Sequence, residues 1–493
     1  MTSLSVQNQQ PFSIDNIPIL SVKEFEDSLR EGLQTQARMI GLFGLETTES
    51  TTTVIAVLSH SATSAIHLLG TTFSPANNQY HSFADVYPQT NYFECELAES
   101  HQIIPEGHPW LRPVRKQTVI LDHQPYALYK MKGEEIHEVA VGPIHAGVIE
   151  PGHFRFQCHG ELVYHLEIIL GYQHRGIEKL LHNATPSQQH ILCESITGDT
   201  VIGHSMAYAL AVEALSNASV SLRIQVLRAL AEELERVAMH LTGLGGIAND
   251  VGYAIGSASY GRLRTLVINS TALICGSRFG RGFIVPGGLQ FDPIDDAIEV
   301  LKRNLHVVQH DVQVINEVMF GSTSVLGRLD HTGTVEKEWA QSIGMVGPAA
   351  RASGIDLDTR SQFPYGAYKY IHLPLITLSS CDVFARARMR SLEVDESLRF
   401  IFDQLENLPS GSIQSEINAI RPNSGVVSLT EGWRGEIAHC AFTDSKGTWK
   451  RYKIKDPSFH NWYGLSLALR NEAISDFPLC NKSFDLSYSG HDL

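Results

Sequence analysis

A change in the spacing of apolar residues divides this sequence into two parts. Over residues 219–244 the apolar residues recur at steps of one, three or four positions, which is the spacing of a long amphipathic helix. Before residue 116, short apolar runs are instead separated by polar turns. The predicted fold class is therefore α+β: a small α/β N-terminal domain, then a large, mainly α-helical domain opened by a β-hairpin.

The same patterns predict the individual elements. In the first part we expect a helix over 21–36 and strands over 39–45, 52–58 and 65–71. The second part should open with β structure over 140–170, with turns at 151–152 and 159–160. Its predicted helices cover 189–216, 219–244, 293–320 and 381–408.

Composition suggests where the domains begin and end. Residues 1–16 are polar and are predicted to be a flexible tail. The α/β domain should cover 17–130, and a charged joint containing glycine, 131–138, leads into the second domain, 138–493.

Charge and hydropathy exclude several classes of protein. The 493 residues carry a net charge of −15, which argues against nucleic acid as a partner. No run of 18 apolar residues predicts a transmembrane helix, and the N-terminus lacks a signal-peptide pattern. We expect a cytoplasmic protein that reaches a membrane only through partners.

The spacing of the seven cysteines argues against both a disulfide framework and a metal site. Their number is odd, and no two of them form a Cys-x-x-Cys pair. We therefore expect buried thiols and no metal ligands of this type in the chain.

Several short segments carry more specific information. Residues 194–205 read ESITGDTVIGHS, and residues 483–493 read SFDLSYSGHDL. Between and around them lie GPIH (142–145), EPGHFRF (150–156), GYQHRGIEKL (171–180), ELERVAMH (233–240), EGWRGE (431–436) and DPSFHN (456–461).

In this order the segments resemble the large subunit of the group 4 nickel-iron hydrogenases, which are membrane-bound and of the formate hydrogenlyase type. They also resemble the 49-kDa subunit of respiratory complex I, which belongs to the same superfamily. Residues 92–113 resemble the signature of the 30-kDa subunit of complex I, which some of these proteins carry fused ahead of the large subunit. The resemblance implies a hydrogenase-like domain preceded by a 30-kDa-like domain.

The resemblance also identifies what this chain has lost. In the hydrogenases both terminal segments contain Cys-x-x-Cys, and the four thiolates hold a nickel-iron centre. Here the four positions are Thr197, Thr200, Ser487 and Gly490. Hydroxyls and glycine do not replace soft thiolates. We therefore expect this chain to bind no nickel-iron centre and no other metal, and we expect a quinone as the possible ligand.

Four residues are candidate catalytic groups by the same resemblance. His153 matches the histidine that reaches the quinone headgroup in complex I, and Glu178 matches a glutamate that binds magnesium or relays protons in hydrogenases. Asp199 lies between the former ligand positions, and Arg434 matches the arginine over the metal. The supporting candidates are His204, Arg175, Glu235 and Arg236.

Each candidate also has a purely structural interpretation. His153 could be a turn histidine bonded to backbone, and Glu178 could form a salt bridge to Arg175 or Lys179. The hydroxyls around Asp199 could be a hydrogen-bonded core. The tyrosine that pairs with the quinone-site histidine in complex I has no equivalent here, because the matching stretch reads ILC (191–193).

The resemblance implies the large subunit of a redox complex on the cytoplasmic face of the inner membrane. Electrons would pass from an iron-sulfur cluster in a partner small subunit to a quinone or another small acceptor, coupled to ion translocation through membrane subunits. Two alternatives are a non-catalytic structural subunit and a working formate hydrogenlyase-type hydrogenase. NAD binding is implied for the family, but no Gly-rich strand-to-helix fingerprint supports direct nicotinamide binding by this chain.

Overall fold

A computed structural model describes residues 1–48, 50–115, 126–147 and 149–493. The elements of the N-terminal part are β1 (Leu4–Val6), β2 (Phe12–Ser13), β3 (Ile19–Leu20), α1 (Val22–Gln34), β4 (Arg38–Thr47), β5 (Thr52–His60), β6 (Ala65–Phe73), β7 (Gln79–His81), α2 (Asn91–His101) and β8 (Ile104–Glu106).

The second part begins with the three-stranded sheet β9 (Ile136–Val141), β10 (His153–His159) and β11 (Leu162–Ile169). Helices follow. They and their intervening strands are α3 (Ile177–Asn183), α4 (Pro186–Glu194), α5 (Val201–Ser216), α6 (Leu222–Asp250), α7 (Ala254–Cys275), β12 (Ile284–Val285), β13 (Gly288–Leu289), α8 (Asp295–Gly321), α9 (Thr323–Leu329), α10 (Lys337–Ser342), α11 (Gly347–Ala352), α12 (Thr359–Gln362) and α13 (Val383–Glu406).

The chain then returns to a sheet and ends in short helices. These elements are β14 (Ser424–Gly432), β15 (Gly435–Thr443), β16 (Trp449–Lys455), α14 (Ser458–Ala468), α15 (Phe477–Phe484) and α16 (Tyr488–Asp492). Within the described residues, no helix is both long and apolar enough to cross a membrane.

The predicted N-terminal elements are confirmed. A capping box at Ser21 and Glu24 starts α1, and its buried face shares a core with the central strand β5. The main sheet has the order β1-β6-β5-β4, with β3 parallel to β6. The mixed α and β fold class predicted from the sequence is likewise confirmed.

The prediction of a flexible tail over residues 1–16 is wrong. β1 pairs with β6, and β2 pairs with β14 at the far end of the chain. Val6 and Phe12 are buried as a result. Strands of two or three residues are too short to produce a periodic pattern, so this tertiary pairing left no signal in the sequence.

The helix predicted over 189–216 is interrupted. α4 ends at Glu194 and α5 begins at Val201, and the loop 195–200 between them contains the first of the two cysteine-free motifs. Apolar residues continue on both sides of this loop, so the spacing alone suggested one helix. The other three predicted helices are confirmed as α6, α8 and α13, each within a few residues at either end except the C-terminus of α6.

The two predicted domains share their interior. The ring of Phe93 on α2 lies 5.0 Å from that of Phe459 on α14. Strand β2 extends the sheet β16-β15-β14, and the ring of Phe12 packs edge-on against Phe442 at 6.1 Å. The N-terminal part is therefore built into the domain that carries the motifs.

The packing of β2 can be tested by replacing Phe12 with alanine. Because its ring is buried between two parts of the chain, Phe12→Ala should lower the free energy of unfolding by about 3 kcal/mol. The control Val86→Ala removes an aliphatic group that is 64% exposed and should change it by less than about 0.5 kcal/mol. Equal stability of Phe12→Ala and wild type in denaturant titrations would restore the flexible-tail interpretation.

Candidate functional site

An arginine–aspartate pair joins the first motif to the turn between β14 and β15. Nη1 and Nη2 of Arg434 donate to the two carboxylate oxygens of Asp199 at 2.6 and 2.7 Å. The Thr197 hydroxyl donates to the same carboxylate at 2.7 Å, and Nη1 of Arg434 also lies 3.2 Å from the Thr200 hydroxyl. The structure thus brings together four of the predicted site residues.

Trp433 fixes the geometry of this pair. Its indole nitrogen donates to the backbone oxygen of Asp199 at 2.8 Å, and the Arg434 guanidinium lies over the indole ring at 3.9 Å. Burial would raise the pKa of Asp199, but Arg434 holds that pKa below its usual range. Both members of the pair therefore stay charged.

The pair is open to solvent on one side only. The Asp199 side chain is 38% exposed, whereas that of Arg434 is 4% exposed. Gly198 is exposed beside it, and no atom of the described part of the chain lies within 4 Å of the position that a Cβ would take. Glu150, at the end of the hairpin loop, is close enough to Asp199 for the two charges to interact, and partial burial together with Asp199 raises the pKa of Glu150. We call Thr197, Asp199, Thr200, Trp433 and Arg434 the Arg434 cluster.

The second motif lies next to this cluster. The Ser487 hydroxyl accepts from the backbone N–H of Gly490 at 2.9 Å and so caps α16. A Cβ on Gly490 would lie 2.6–2.8 Å from the atoms of the Asp456 carboxyl group. The backbone oxygen of Asp485 accepts a hydrogen bond from Nε of Arg434, which ties this motif to the cluster.

The residues at the four former ligand positions do not fit a nickel-iron centre. The Thr197 hydroxyl is bonded to Asp199, the Ser487 hydroxyl caps a helix, and Gly490 has no room for a side chain. Oxygen donors engaged in this way are poor substitutes for four thiolates. Among the residues that the structure describes, no group of three His, Cys, Asp or Glu side chains could hold a metal ion.

Three of the supporting candidates hold the backbone around the cluster. Arg175 donates to the carbonyls of Ser195 and Ile196, and Arg236 donates to the carbonyl of Glu431 at 2.7 Å. Glu235 accepts from the first N–H groups of α5, at 2.8 and 3.2 Å. Burial raises the pKa of Glu235 to about 8. These side chains position the loop 195–200 and the end of β14.

His204 lies in the protein interior and connects the site to buried residues beyond the cluster. Its Nε2 lies 3.1 Å from the Asp456 carboxylate, and its Nδ1 lies 3.1 Å from Nε2 of His439. All three side chains are fully buried or nearly so. The predicted role of His204, packing and hydrogen bonding beneath the pocket, agrees with this placement.

His153 does not join the cluster. It starts β10, and strand alternation points its neighbour Phe154 toward Tyr488 of the second motif. The charged groups that act on His153 are Arg155, Glu138 and Glu167, and burial followed by Arg155 lowers its pKa. Its Nε2 is buried and has no hydrogen-bond partner among the residues that the structure describes. A ligand at His153 would therefore lie on the other face of the hairpin.

Glu178 also lies outside the cluster. Its carboxylate is paired with Arg451 and Lys453, each at 2.9 Å, and it accepts from the backbone N–H of Ile454. Burial would raise its pKa, but Lys453 and Arg451 hold that pKa below its usual range. This placement matches the salt-bridged interpretation, although the partners are not the predicted Arg175 and Lys179.

An ion-pair chain connects Glu178 to the N-terminal part. Glu96 on α2 pairs with both Arg115 and Lys453, and Lys453 in turn pairs with Glu178. Nε of Arg115 donates to the backbone oxygen of His491 at 2.9 Å. The N-terminal part therefore contacts the second motif directly.

Sequence reasoning missed several members of the site. Trp433, Asp456 and Glu150 lie inside segments that were recognised as motifs, yet their roles depend on contacts between distant parts of the chain. Only adjacency to the predicted Arg434 pointed to Trp433. Nothing in the sequence indicated that Asp456 occupies the space beside Gly490.

A separate cleft lies away from the cluster. It has a volume of about 540 Å³ and separates the N-terminal part, at Arg38 and Gln89, from α10 and the segment around Asp356. None of its lining residues belongs to the Arg434 cluster. The candidate site is thus separate from this cleft.

The role of Glu96 predicts a pH-dependent loss of stability. Burial would raise its pKa, but Arg115 and Lys453 lower it from 4.5 to about 2. A lowered pKa in the folded state stabilises the protein fully above pH 4.5, and this contribution disappears as the pH falls toward 2. Glu96→Gln should therefore cost roughly 3 kcal/mol at pH 7, and its difference from wild type should shrink below pH 4.5.

The measurement is denaturant unfolding of both proteins between pH 7 and pH 3. The matched control is Glu106→Gln, an exposed glutamate five residues beyond α2, which should behave as wild type throughout. A Glu96→Gln deficit that stays constant with pH would contradict the ion-pair explanation.

Comparison with known proteins supports the predicted resemblance. Residues 250–425 match the family described as the respiratory-chain NADH dehydrogenase 49-kDa subunit. The chain is 28% identical over 437 residues to formate hydrogenlyase subunit 5 of Escherichia coli strain K12, a match that covers 84% of this chain and 77% of that protein. It is 27% identical over 413 residues to a protein of the NADH-quinone oxidoreductase of Bacteroides thetaiotaomicron, a match that covers 76% of this chain and 77% of the relative.

A solved structure agrees with the fold. A chain of the membrane-bound sulfane sulfur reductase, an archaeal respiratory membrane complex, superimposes with a TM-score of 0.69 at 23% identity. The match covers 74% of this chain and 100% of that chain. The resemblance to the hydrogenase large-subunit and complex I 49-kDa superfamily, first seen in the motifs, is confirmed.

Proposed function

We propose that this chain is the large subunit of a complex I-like, hydrogenase-related respiratory complex that works without a nickel-iron centre. The observation that carries this proposal is the Arg434–Asp199 pair, which lies between the former ligand positions and has one edge open to solvent. The relatives belong to a formate hydrogenlyase and to an NADH-quinone oxidoreductase, which supports membership of a related assembly.

In this proposal the Arg434 cluster receives a small electron acceptor, and a quinone is the first candidate. The arginine fork offers donors to a carbonyl oxygen, while Asp199 keeps that fork in place. Electrons come from an iron-sulfur cluster in a partner small subunit. Membrane subunits of the complex couple the reaction to ion movement, and the chain lies on the cytoplasmic face of the membrane through these partners.

A non-catalytic structural subunit is the second candidate, and one observation favours it. The Arg434 guanidinium already donates to Asp199, to the Thr200 hydroxyl and to the backbone oxygen of Asp485. With the two bonds to Asp199, four of the five guanidinium N–H groups are engaged, and among the described contacts only one N–H of Nη2 is left for an acceptor. The two proposals therefore differ in whether changes at Arg434 affect turnover.

The first experiment is metal analysis of the native complex purified through this chain, combined with electron-acceptor assays. We expect iron from partner clusters, no nickel, no hydrogen uptake, and reduction of a water-soluble quinone by a low-potential donor. Polysulfide should be assayed in parallel, because the structural neighbour is a sulfane sulfur reductase. Stoichiometric nickel with hydrogen uptake would overturn the proposal, and absence of any acceptor reduction would favour the structural subunit.

Variants of the pair test the site itself. Asp199→Asn removes the charge that holds Arg434, and Arg434→Lys replaces a two-pronged donor with a point charge. Each should lower acceptor reduction at least about tenfold, which corresponds to about 1.4 kcal/mol in the barrier, while the complex still assembles.

The matched control is Asp292→Asn, which breaks the surface pair between Arg223 and Asp292. It should leave turnover unchanged. His153→Gln tests the other face of the hairpin. Wild-type turnover in both Asp199→Asn and Arg434→Lys, with a loss in His153→Gln, would move the acceptor site away from the cluster.

A further inference from the structure

The cleft between the N-terminal part and α10 has a group of buried charges at its wall. Arg38 lines this cleft, and its Nη1 and Nη2 donate to the Glu436 carboxylate at 3.0 and 2.6 Å. Nζ of Lys455 donates to the same carboxylate at 2.8 Å. The Glu436 side chain is fully buried, that of Lys455 is 2% exposed, and that of Arg38 is 13% exposed. We call these three residues the Arg38 trio.

The Arg38 trio carries an uncompensated positive charge. Two cations share one carboxylate, and among the described residues neither cation pairs with a second carboxylate. Burial would raise the pKa of Glu436, but Arg38 and Lys455 hold that pKa far below its usual range. Burial lowers the pKa of Lys455, and Glu436 opposes this effect. Because an unmatched charge is costly away from water, an anion from outside the chain would be stabilised beside the trio.

A neighbouring histidine experiences the same excess of positive charge. His460 is 4% exposed, and its Nδ1 lies 3.4 Å from the position that a Cβ would take on Gly344 in the cleft wall. Burial, followed by Lys455 and Arg38, holds the pKa of His460 well below its usual range, although Glu436 opposes them. His460 is therefore neutral, and the field at this wall of the cleft is positive.

Arg38 keeps hydrogen-bond donors for such an anion. A guanidinium has five N–H groups, and Glu436 accepts from two of those of Arg38. Among the described contacts, one N–H on each terminal nitrogen and the buried Nε have no acceptor. Carboxylate and phosphate oxygens form the strongest hydrogen bonds with a guanidinium.

The rest of the cleft is suited to the apolar body of a small molecule. Its volume of about 540 Å³ lies in the range of ligand pockets. Lys337, Glu338 and Asp356 are exposed members of the lining, so water and salt screen their charges. The apolar part of the lining includes Leu33, Val86, Tyr87, Pro88, Ile355 and Leu357.

We infer that this cleft binds a small organic anion, with a carboxylate or phosphate group at Arg38 and an apolar body against the apolar lining. The cleft shares no lining residue with the Arg434 cluster. The inference therefore goes beyond the proposed function, and its tests require no turnover.

The first test measures binding of octanoate, octyl phosphate and octanamide to the full chain by calorimetry. At least one of the two anions should bind at least about tenfold more tightly than the uncharged amide, because the amide leaves the Arg38 trio unbalanced. The tighter of the two anions identifies the preferred head group. Absence of binding by both anions, or equally tight binding of octanamide, would overturn the inference.

The second test replaces the cation that lines the cleft. Arg38→Gln leaves Glu436 paired with Lys455 alone, so the buried charges balance, and the affinity for the tighter anion should fall at least about tenfold. The matched control is Arg262→Gln on α7, which removes an exposed cation paired with Asp311 and should bind the anion as wild type does. Unchanged affinity in Arg38→Gln, or an equal loss in both variants, would refute the site.

The third test locates the ligand in the wild-type chain and needs no variant. At a saturating concentration of the tighter anion, amide hydrogen exchange should slow in residues 86–89 and 337–345, which contribute to the two sides of the cleft. Exchange around Asp199 should not change. Protection at Asp199 without protection of these two segments would place the anion at the Arg434 cluster and overturn the inference.

Discussion

The bidentate contact between Arg434 and Asp199 is the interaction on which the surrounding structure depends. It joins a loop near residue 200 to a turn more than 230 residues later, and an arginine buried in this way is tolerated only with its charge matched. Glu235 and Arg175 hold the loop on one side, and Arg236 holds the strand on the other. The contacts of these three side chains are explained by this task without any direct role in chemistry.

The same requirement for matched charge extends through the helical domain. Arg351 contacts Glu393 and Glu431, and Arg360 contacts Glu233 and Asp358, all of them buried. Pairs of this kind add little net stability compared with apolar packing, but breaking one leaves an uncompensated charge. They therefore fix one arrangement of α6, α12, α13 and β14 around the cluster.

An element could be predicted from the sequence when the contacts that form it lie close together along the chain. The helices α6, α8 and α13 carry their own apolar periodicity, so their existence and approximate ends were visible in the sequence. The strands β1 and β2 pair with partners about 60 and 410 residues away and have no pattern of their own.

The residues of the candidate site also divide into those that the sequence could place and those that it could not. Arg434, Asp199 and Thr197 meet as the motifs implied, because the resemblance already included their long-range proximity. His153 does not meet them, since one step along a strand moves a side chain to the opposite face, and no motif reports that face.

Charge balance explains how this fold can exist without the four thiolates that the hydrogenases have at the matching positions. Four buried thiolates would demand a metal, because uncompensated negative charge is expensive in a protein interior. Hydroxyls at Thr197, Thr200 and Ser487 and a glycine at position 490 carry no charge, so that demand disappears. Arg434 is neutralised by Asp199 and backed by Asp456, which occupies the space at Gly490. The charge and the volume of the site are thus balanced by the chain's own residues, and the Asp199 carboxylate remains partly open to solvent.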